Sequence, residues 1–235
     1  MDIQTLTPDE EILWEYGLVV INKTIVFTWV VMLAMIVFSW LITRKLSTGP
    51  EISRWQNLLE MTIEYVRSQI REMVPRDPDA YLAFIATLFL FIGISNVLAV
   101  VPGFIPPTGS LSTTAALALC VFLAVPLYGI ASRGVLGYLR RYIQPTVVML
   151  PFNIIGELSR TLALAVRLFG NVMSAAKVAA IIVGVVPLLF PVALNLLGLL
   201  TGVIQAYIFA VLAMVYIASA TRVQQQSQPN EEENT

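Results

Sequence analysis

Apolar runs long enough to cross a membrane recur along this chain, separated by polar or proline-rich stretches. An α-helix needs about 20 mainly apolar residues to span the hydrocarbon core of a bilayer. Runs that meet this length occupy residues 24–43, 80–101, 111–132, 151–186 and 187–221. The pattern predicts an all-α polytopic membrane protein, with about five membrane helices in a single membrane domain over residues 1–235.

A different pattern occupies residues 51–74, where apolar side chains follow one helical stripe and charged side chains cover the rest. This pattern predicts an amphipathic helix that lies on the cytoplasmic membrane surface or packs against a partner. The two ends, residues 1–23 and 222–235, are polar, and we expect both to be tails outside the bilayer.

The few charges are distributed unevenly among the predicted loops. Charged residues make up 12% of the chain and hydrophobic residues 57%, which excludes an ordinary soluble domain. Basic residues follow the first and third apolar runs, at Arg44, Lys45, Arg54, Arg67, Arg71 and Arg76, and at Arg133, Arg140 and Arg141. Because cytoplasmic loops carry the excess of Lys and Arg, this distribution predicts an outside N-terminus and a cytoplasmic C-terminus.

The composition gives little support to metal or redox chemistry. The chain has no histidine, the commonest metal ligand, and its single cysteine, Cys120, excludes an intrachain disulfide. Because Cys120 lies in an apolar run, we expect it to be buried and inert. We expect no metal, no cofactor and no nucleic-acid partner.

The apolar run over residues 151–186 carries a polar stripe on one face. Steps of three and four residues connect Asn153, Glu157, Arg160, Leu164, Arg167, Asn171 and Ser174. A polar face inside a membrane cannot point at lipid, so it must face protein or a water-filled cavity. As a straight helix the run would be about 54 Å long, against a hydrocarbon core of about 30 Å, so we expect it to tilt or bend.

The charges on this helix have different expected roles. Glu157 and Arg160 are three residues apart and can form a structural ion pair, with Asn153 one turn away. Lys177 lies off the stripe, where it can extend towards the outer surface. Arg167 has no acid within one turn, although a charge at mid-bilayer costs roughly 3 to more than 10 kcal/mol. Because its guanidinium cannot release a proton, Arg167 suits attracting a carboxylate from another subunit and blocking cations.

The last apolar run carries a milder polar stripe. It includes Asn195, Gly198, Gly202 and Gln205, in which the glycines allow close approach of backbones and the amides offer hydrogen bonds. Antiparallel packing against the long helix would bring Gln205 near Arg167.

Three stretches resemble a known family, subunit a of F-type ATP synthases. LALAVRLFGNVMS is similar to the family's signature around its essential arginine, and QAYIFAVLAMVYIASA is similar to its last-helix signature. FLFIGISNVLAVVPGFIPPTGSLSTTAALAL resembles the central helices of the family, including the Asn96 position. The resemblance covers about residues 80–221 well and the preceding residues only in layout.

The resemblance implies an ion-translocating stator subunit that is not an enzyme on its own. Its last two helices would form a tilted hairpin against a rotating ring of c subunits. Arg167 would face the ring carboxylate between two offset half-channels for H+ or Na+. The residues implied to support the ion pathway are Asn171, Ser174, Lys177, Asn195 and Gln205. The other implied partners are b-type peripheral stalk subunits and the lipid of a bacterial inner membrane.

The sequence departs from the family pattern at two positions. The family commonly carries an acid or histidine about nine residues after the arginine and a second about seven residues before the glutamine, where this chain has Ala176 and Gly198. The usual relay of the outer half-channel is therefore missing, which leaves the coupling ion open and brings sodium into consideration.

Two other functional classes remain as alternatives. An independent secondary transporter lacks support because no internal repeat is detectable and Glu157 is the only intramembrane acid. An intramembrane protease lacks the histidine, the GxSxG motif or the acid pair that its chemistry would require.

Overall fold

The structure is a computed structural model that describes residues 12–16, 19–44, 54–74, 77–101, 103–143, 148–185 and 190–221. It contains two short strands, β1 (Ile12–Tyr16) and β2 (Val19–Asn22), six α-helices and one short 3-10 helix, Pro107–Gly109. The helices are α1 (Lys23–Thr43), α2 (Arg54–Met73), α3 (Asp79–Leu98), α4 (Leu111–Ile143), α5 (Met149–Val185) and α6 (Phe190–Thr221). The expected tail over residues 222–235 lies outside the described residues.

Five of these helices, α1 and α3 to α6, are long and apolar enough to cross a membrane. This confirms the prediction of an all-α polytopic membrane protein. The fourth of them, α5, has 37 residues and is therefore about 55 Å long. It remains helical throughout, so the length by which it exceeds a hydrocarbon core of about 30 Å lies within one continuous helix.

Residues 12–22 differ from the expected tail because they form an antiparallel hairpin. Trp14 pairs with Ile21 and Tyr16 pairs with Val19, with an irregularity between Ile12 and Trp14. The segment is rich in aromatic and β-branched residues, which favour strands. It leads directly into α1, so the hairpin adjoins the first span.

The centre of the bundle is the contact between α3 and α6. On α3, Ile85, Leu88, Ile92 and Ser95 follow steps of three and four residues and are all buried. They face a stripe of α6 that is equally buried, consisting of Ala206, Phe209, Ala213 and Ile217. Alanines on α6 allow the two backbones to approach closely, since Ala206 Cβ lies 3.8 Å from the position of a Cβ on Gly93.

The apolar surface of α1 stays outside this core. Leu33 is 64% exposed and Ile36 is 66% exposed, and most of their neighbours on α1 are exposed as well. A surface of this kind suits lipid or other subunits. On α4, Cys120 is also exposed, so the expectation that its thiol would be buried is wrong. Its apolar neighbours reflect a membrane-facing helix rather than a protein core.

The helix predicted over residues 111–132 continues to Ile143, but it bends sharply at Gly134. Gly134 has φ 75° and ψ 164°, a backbone conformation that only glycine adopts easily. The bend returns the chain towards its own start, so that the Tyr138 ring covers Gly129. A Cβ at Gly129 would lie 2.6 Å from that ring, so any larger residue there would displace the Tyr138 ring.

The amphipathic helix α2 packs on the bundle of its own chain. Its buried residues include Val66 and Ile70, and the Tyr207 hydroxyl of α6 donates a hydrogen bond of 2.9 Å to Gln69 Oε1. On the same helix, Arg67 Nη2 donates to Asp79 Oδ2 at 2.7 Å, which ties α2 to the beginning of α3. Tyr65, in contrast, stays half exposed.

Candidate functional site

The helices α5 and α6 lie antiparallel, and two contacts define how they are aligned. Asn171 Nδ2 donates a hydrogen bond of 3.4 Å to the Thr201 carbonyl oxygen. Nearer the beginning of α5, the Arg160 guanidinium carbon lies 5.8 Å from the centroid of the Tyr216 ring. Arg167 lies four residues before Asn171, and Gln205 lies four residues after Thr201. The alignment therefore places the backbones of residues 167 and 205 at the same level of the helix pair.

Arg167 lies on the exposed side of α5. Its neighbours Leu164 and Leu168 are buried, so they anchor this turn of the helix to the bundle. One turn away on the exposed side are small residues, Ala163 and Gly170. Among the residues that the structure describes, no hydrogen bond or ion pair to Arg167 is found. The guanidinium is thus presented on a surface that another helix could approach closely.

Gln205 lies within the bundle rather than beside Arg167 on its surface. The residue is 4% exposed, and its Nε2 atom is buried with no hydrogen-bond partner in the described part of the chain. A buried amide donor without a partner costs about 1–3 kcal/mol, so its presence calls for a reason other than stability. The contact between Gln205 and Arg167 stays a prediction.

A cavity of about 270 Å³ lies on the Arg160 side of this level. It is bordered by α4, α5 and α6, and we call it the Glu157 cavity. Its polar lining residues are Asn153, Glu157, Arg160, Thr161, Tyr216 and Ser219. The contact that the structure gives Arg160 is with the Tyr216 ring, a cation–π arrangement, so the expected Glu157–Arg160 ion pair stays a prediction.

A second cavity, of about 250 Å³, lies on the other side of Arg167. It is bordered by α3, the loop after α3, α5 and α6, and we call it the Asn171 cavity. Its polar lining residues are Asn96, Asn171, Asn195 and Thr201, and its small lining residues include Ala175, Ala176, Gly198 and Gly202. Since the Glu157 cavity borders α4 and the Asn171 cavity borders α3, the two cavities are offset from each other across the α5–α6 pair.

The remaining predicted site residues have simple surroundings. Ser174 is exposed and its hydroxyl donates to the Asn171 carbonyl oxygen at 3.1 Å, within α5. Lys177 is exposed and is not among the described residues that line either cavity. Asn195, at the beginning of α6, is exposed but does line the Asn171 cavity.

A buried hydrogen-bond network that sequence reasoning missed borders the Asn171 cavity. Asn96 Nδ2 donates to the Gly202 carbonyl oxygen at 2.8 Å, and the Thr108 hydroxyl donates to Asn96 Oδ1 at 2.6 Å. Asn96 is 4% exposed and Thr108 is fully buried. The network joins α3, the loop before α4 and α6. An asparagine inside an apolar span followed by a proline-rich loop was the only sequence signal for it.

Comparisons by sequence show which known proteins this chain resembles. A family model described as ATP synthase A chain matches residues 25–218. The chain is 58% identical over 228 residues to ATP synthase subunit a 2 of Acaryochloris marina, covering 97% of each chain. It is 59% identical over 217 residues to ATP synthase subunit a of Albidiferax ferrireducens, covering 92% of this chain and 94% of the relative. It is 60% identical over 222 residues to ATP synthase subunit a 1 of Chlorobaculum parvum, covering 94% and 98%.

Proposed function

Because this chain belongs to the ATP synthase A chain family, we propose that Arg167 faces the ionisable carboxylate of a rotating ring of c subunits. Membership makes the chain the ion-translocating stator subunit of an F-type ATP synthase. It is a multi-pass membrane component of the complex and assembles with other subunits, and it is not a catalytic enzyme on its own. The relatives do not support an independent secondary transporter.

The observation that supports this role for Arg167 most directly is its position between two cavities. Arg160, which lines the Glu157 cavity, is seven residues before Arg167, or about 10 Å along the helix. Asn171, which lines the second cavity, is four residues after it, or about 6 Å. The two cavities serve as the half-channels, each giving the ring carboxylate access to one side of the membrane.

The chemistry of arginine explains how such a position couples ion flow to rotation. A guanidinium stays charged at all accessible pH values, so it cannot pass a proton from one cavity to the other. It attracts a carboxylate at about 4 Å by about 4 kcal/mol at an effective dielectric constant of 20, which favours release of the bound cation. The ring carboxylate therefore passes Arg167 only after unloading into one cavity and reloads from the other.

The membrane potential provides the work for this cycle. Each elementary charge that crosses 100 mV contributes about 2.3 kcal/mol, so several ions must pass for each ATP made. A direct leak between the two cavities would dissipate that work without turning the ring. Arg167 prevents the leak because its fixed positive charge repels a cation at the level of α5 that lies between the two cavities.

Orientation follows from the distribution of basic residues. With the segments after α1 and within α4 in the cytoplasm, the N-terminus lies outside and the C-terminus inside. The Glu157 cavity, near the beginning of α5, then faces the cytoplasm and the Asn171 cavity faces the outside. The cytoplasmic helix α2 and the exposed face of α1 are the surfaces available to b-type peripheral stalk subunits. In a bacterium, this membrane is the inner or plasma membrane.

Replacing Arg167 with Ala in the complete complex tests the assignment. We expect loss of ion-driven ATP synthesis in reconstituted vesicles, while subunit composition after purification stays normal, because the exposed guanidinium has no described structural partner. Arg160→Ala is the matched control on the same helix, and it should retain substantial synthesis. Normal coupled synthesis by Arg167→Ala, in a complex that contains this subunit, would refute the assignment.

A further inference from the structure

Two polar side chains inside the bundle, Ser95 of α3 and Gln205 of α6, are buried without a hydrogen-bond partner. Ser95 is fully buried and Gln205 is nearly so. Among the described residues, neither Ser95 Oγ nor Gln205 Nε2 bonds to any group. Burying a polar group in this state costs about 1–3 kcal/mol, and an apolar side chain at either position would avoid that cost. We therefore expect both side chains to have a role other than stability.

The hydroxyl of Ser95 differs from other hydroxyls on the helices of this chain. Thr87 on the same helix donates to the Ala83 carbonyl oxygen at 2.6 Å, and Thr201 of α6 donates to the Leu197 carbonyl oxygen at 3.0 Å. A bond to the carbonyl one turn back satisfies a hydroxyl within its own helix. In the part of the chain that the structure describes, Ser95 makes no such bond, so its hydroxyl is available to a group on another helix.

The packing of α3 against α6 brings the serine and the glutamine to nearly the same level. Asn96, which follows Ser95, donates to the Gly202 carbonyl oxygen at 2.8 Å. Earlier on α3, a Cβ at Gly93 would lie 3.8 Å from the Cβ of Ala206, which is later on α6. The two helices therefore run antiparallel here. By this alignment, the serine and the glutamine are within about two residues of each other along the helix axis, or about 3 Å.

Gln205 also lies beside the helix that carries Arg167. It is one turn after Thr201, whose carbonyl oxygen accepts a hydrogen bond from Asn171 of α5. Because residues four apart share a helix face, Gln205 lies on the side of α6 that faces α5, at the level of Arg167. A carboxamide has a donor end and an acceptor end, so Nε2 can donate to the Ser95 hydroxyl while Oε1 accepts from the guanidinium.

We propose that Ser95 is a positioning residue, which binds Gln205 Nε2 and thereby directs Gln205 Oε1 towards Arg167. A glutamine side chain is flexible, and a hydrogen bond to a serine within a rigid helix restricts its rotamers. The restricted carboxamide orients the guanidinium whenever no ring carboxylate is paired with it, while Ser95 itself contacts neither the ion nor the carboxylate. This inference rests on the proposed function of Arg167 and adds a residue of α3 that determines how the arginine is oriented.

Removing the Ser95 hydroxyl tests this role. We expect Ser95→Ala to assemble with the native subunit composition, because the change removes one oxygen atom and adds no bulk. Ion-driven ATP synthesis by the reconstituted complex should fall about three- to tenfold, within the effect that one lost hydrogen bond can have. Thr87→Val is the matched control on the same helix, because the Thr87 hydroxyl is exposed and bonded within α3, and it should keep the native rate. A native rate for Ser95→Ala would overturn the proposal.

A double-mutant cycle separates positioning from a purely structural role of Ser95. If Ser95 acts through Gln205, removing the hydroxyl should change nothing further once the carboxamide is gone. We therefore expect Ser95→Ala in a Gln205→Leu background to stay within about 1.5-fold of Gln205→Leu alone. An equal reduction by Ser95→Ala in both backgrounds would show that the serine acts independently of the glutamine. That result, or full activity of Gln205→Leu alone, would overturn the proposal.

The Arg167→Ala variant distinguishes failure of this proposal from failure of the proposed function. If Arg167→Ala stops synthesis while Ser95→Ala is fully active, the positioning role fails and the function of Arg167 stands. If Arg167→Ala keeps normal coupled synthesis, the function of Arg167 fails, and the positioning role fails with it.

Discussion

Two arginines on α5 meet different surroundings although only seven residues separate them. Arg160 lies against the Tyr216 ring of α6 at the wall of the Glu157 cavity. Arg167 lies on an exposed turn beside Ala163 and Gly170, with no bonding partner in the described ranges. The difference arises because α6 offers an aromatic face at one level and only a buried amide, Gln205, at the other. A cation without an intrachain partner is suited to an acid on another subunit.

The ring of Tyr216 should determine where Arg160 lies. We expect Tyr216→Phe to behave nearly as the native protein, because the aromatic face is kept, and Tyr216→Leu to lower stability by about 0.5–2 kcal/mol, the size of a cation–π contact. Thermal unfolding of the purified complex measures the difference in stability. Rates of ATP synthesis show whether activity requires Arg160 to stay against the Tyr216 ring. If the leucine and phenylalanine variants prove equally stable, the contact contributes nothing.

Replacing Gln205 should affect ion coupling without lowering the stability of the protein. Its buried Nε2 has no described partner, so Gln205→Leu removes a desolvation cost and should not lower the melting temperature. We expect reduced but measurable coupling of ion flow to ATP synthesis in this variant. Because stability would be preserved, the loss would report a role in ion transfer. Full coupling would show that the glutamine serves only packing.

Among the helices, α6 is positioned at one turn, which accepts hydrogen bonds from both α3 and α5. Asn96 of α3 donates to the Gly202 carbonyl oxygen and Asn171 of α5 donates to the Thr201 carbonyl oxygen. These bonds lie one turn from Gln205 and border the Asn171 cavity. The two side-chain amides therefore fix the position of α6 along its axis relative to Arg167. The polar stripe on each helix did not indicate that both amides bind the same turn of α6.

Gly202 should tolerate no side chain, whereas Gly198 on the same helix should. A Cβ at Gly202 would lie 2.8 Å from Asn96 Cβ, so Gly202→Ala must separate α3 from α6 and should cost about 1–3 kcal/mol. Gly198→Ala is the matched control, because its Cβ meets nothing within 4 Å and alanine favours a helix. Melting temperatures of the two purified complexes provide the comparison. Equal stability of the two variants would contradict the close approach of α3 and α6.

In the whole molecule, the described residues form the Glu157 and Asn171 cavities on either side of Arg167, but they provide no group that carries the ion between the two. Within the five spans that the structure describes, Glu157 is the one carboxylate that does not lie at a helix end. It lines the Glu157 cavity and not the Asn171 cavity. Broad apolar surfaces on α1 and the outer side of α5 also stay exposed. We therefore expect other subunits of the complex to complete the site.

The chain alone should accordingly fail to transport ions. We expect the purified chain in liposomes to show no saturable, gradient-driven ion uptake, because no acid moves past Arg167 to carry the ion between the cavities. The complete complex, assayed with the same fluorescent ion indicator, provides the comparison. Saturable uptake by the chain alone would restore the alternative of an independent transporter.

The membrane class, the number of spans and the lack of an acid near Arg167 on its own helix all follow from the amino-acid sequence. These properties depend on local patterns, namely the length of apolar runs and the spacing of charges along one helix. Residues 12–22 show where this reasoning ended, because a hairpin depends on cross-strand pairing that helical periodicity does not reveal. The burial of Cys120 was misjudged for a related reason, since lipid-facing and core-facing residues have the same apolar composition.

Tertiary packing governs how the polar residues of different helices combine. It brought Asn96, Asn171 and Asn195 together around one cavity, placed Ala176 and Gly198 in the same lining, and turned Arg160 onto Tyr216. Each of these outcomes depends on the alignment of α5 and α6 and on the contact between α3 and α6. Those alignments arise from packing between residues distant in sequence, and a stripe along one helix does not specify which turn of its neighbour it will meet.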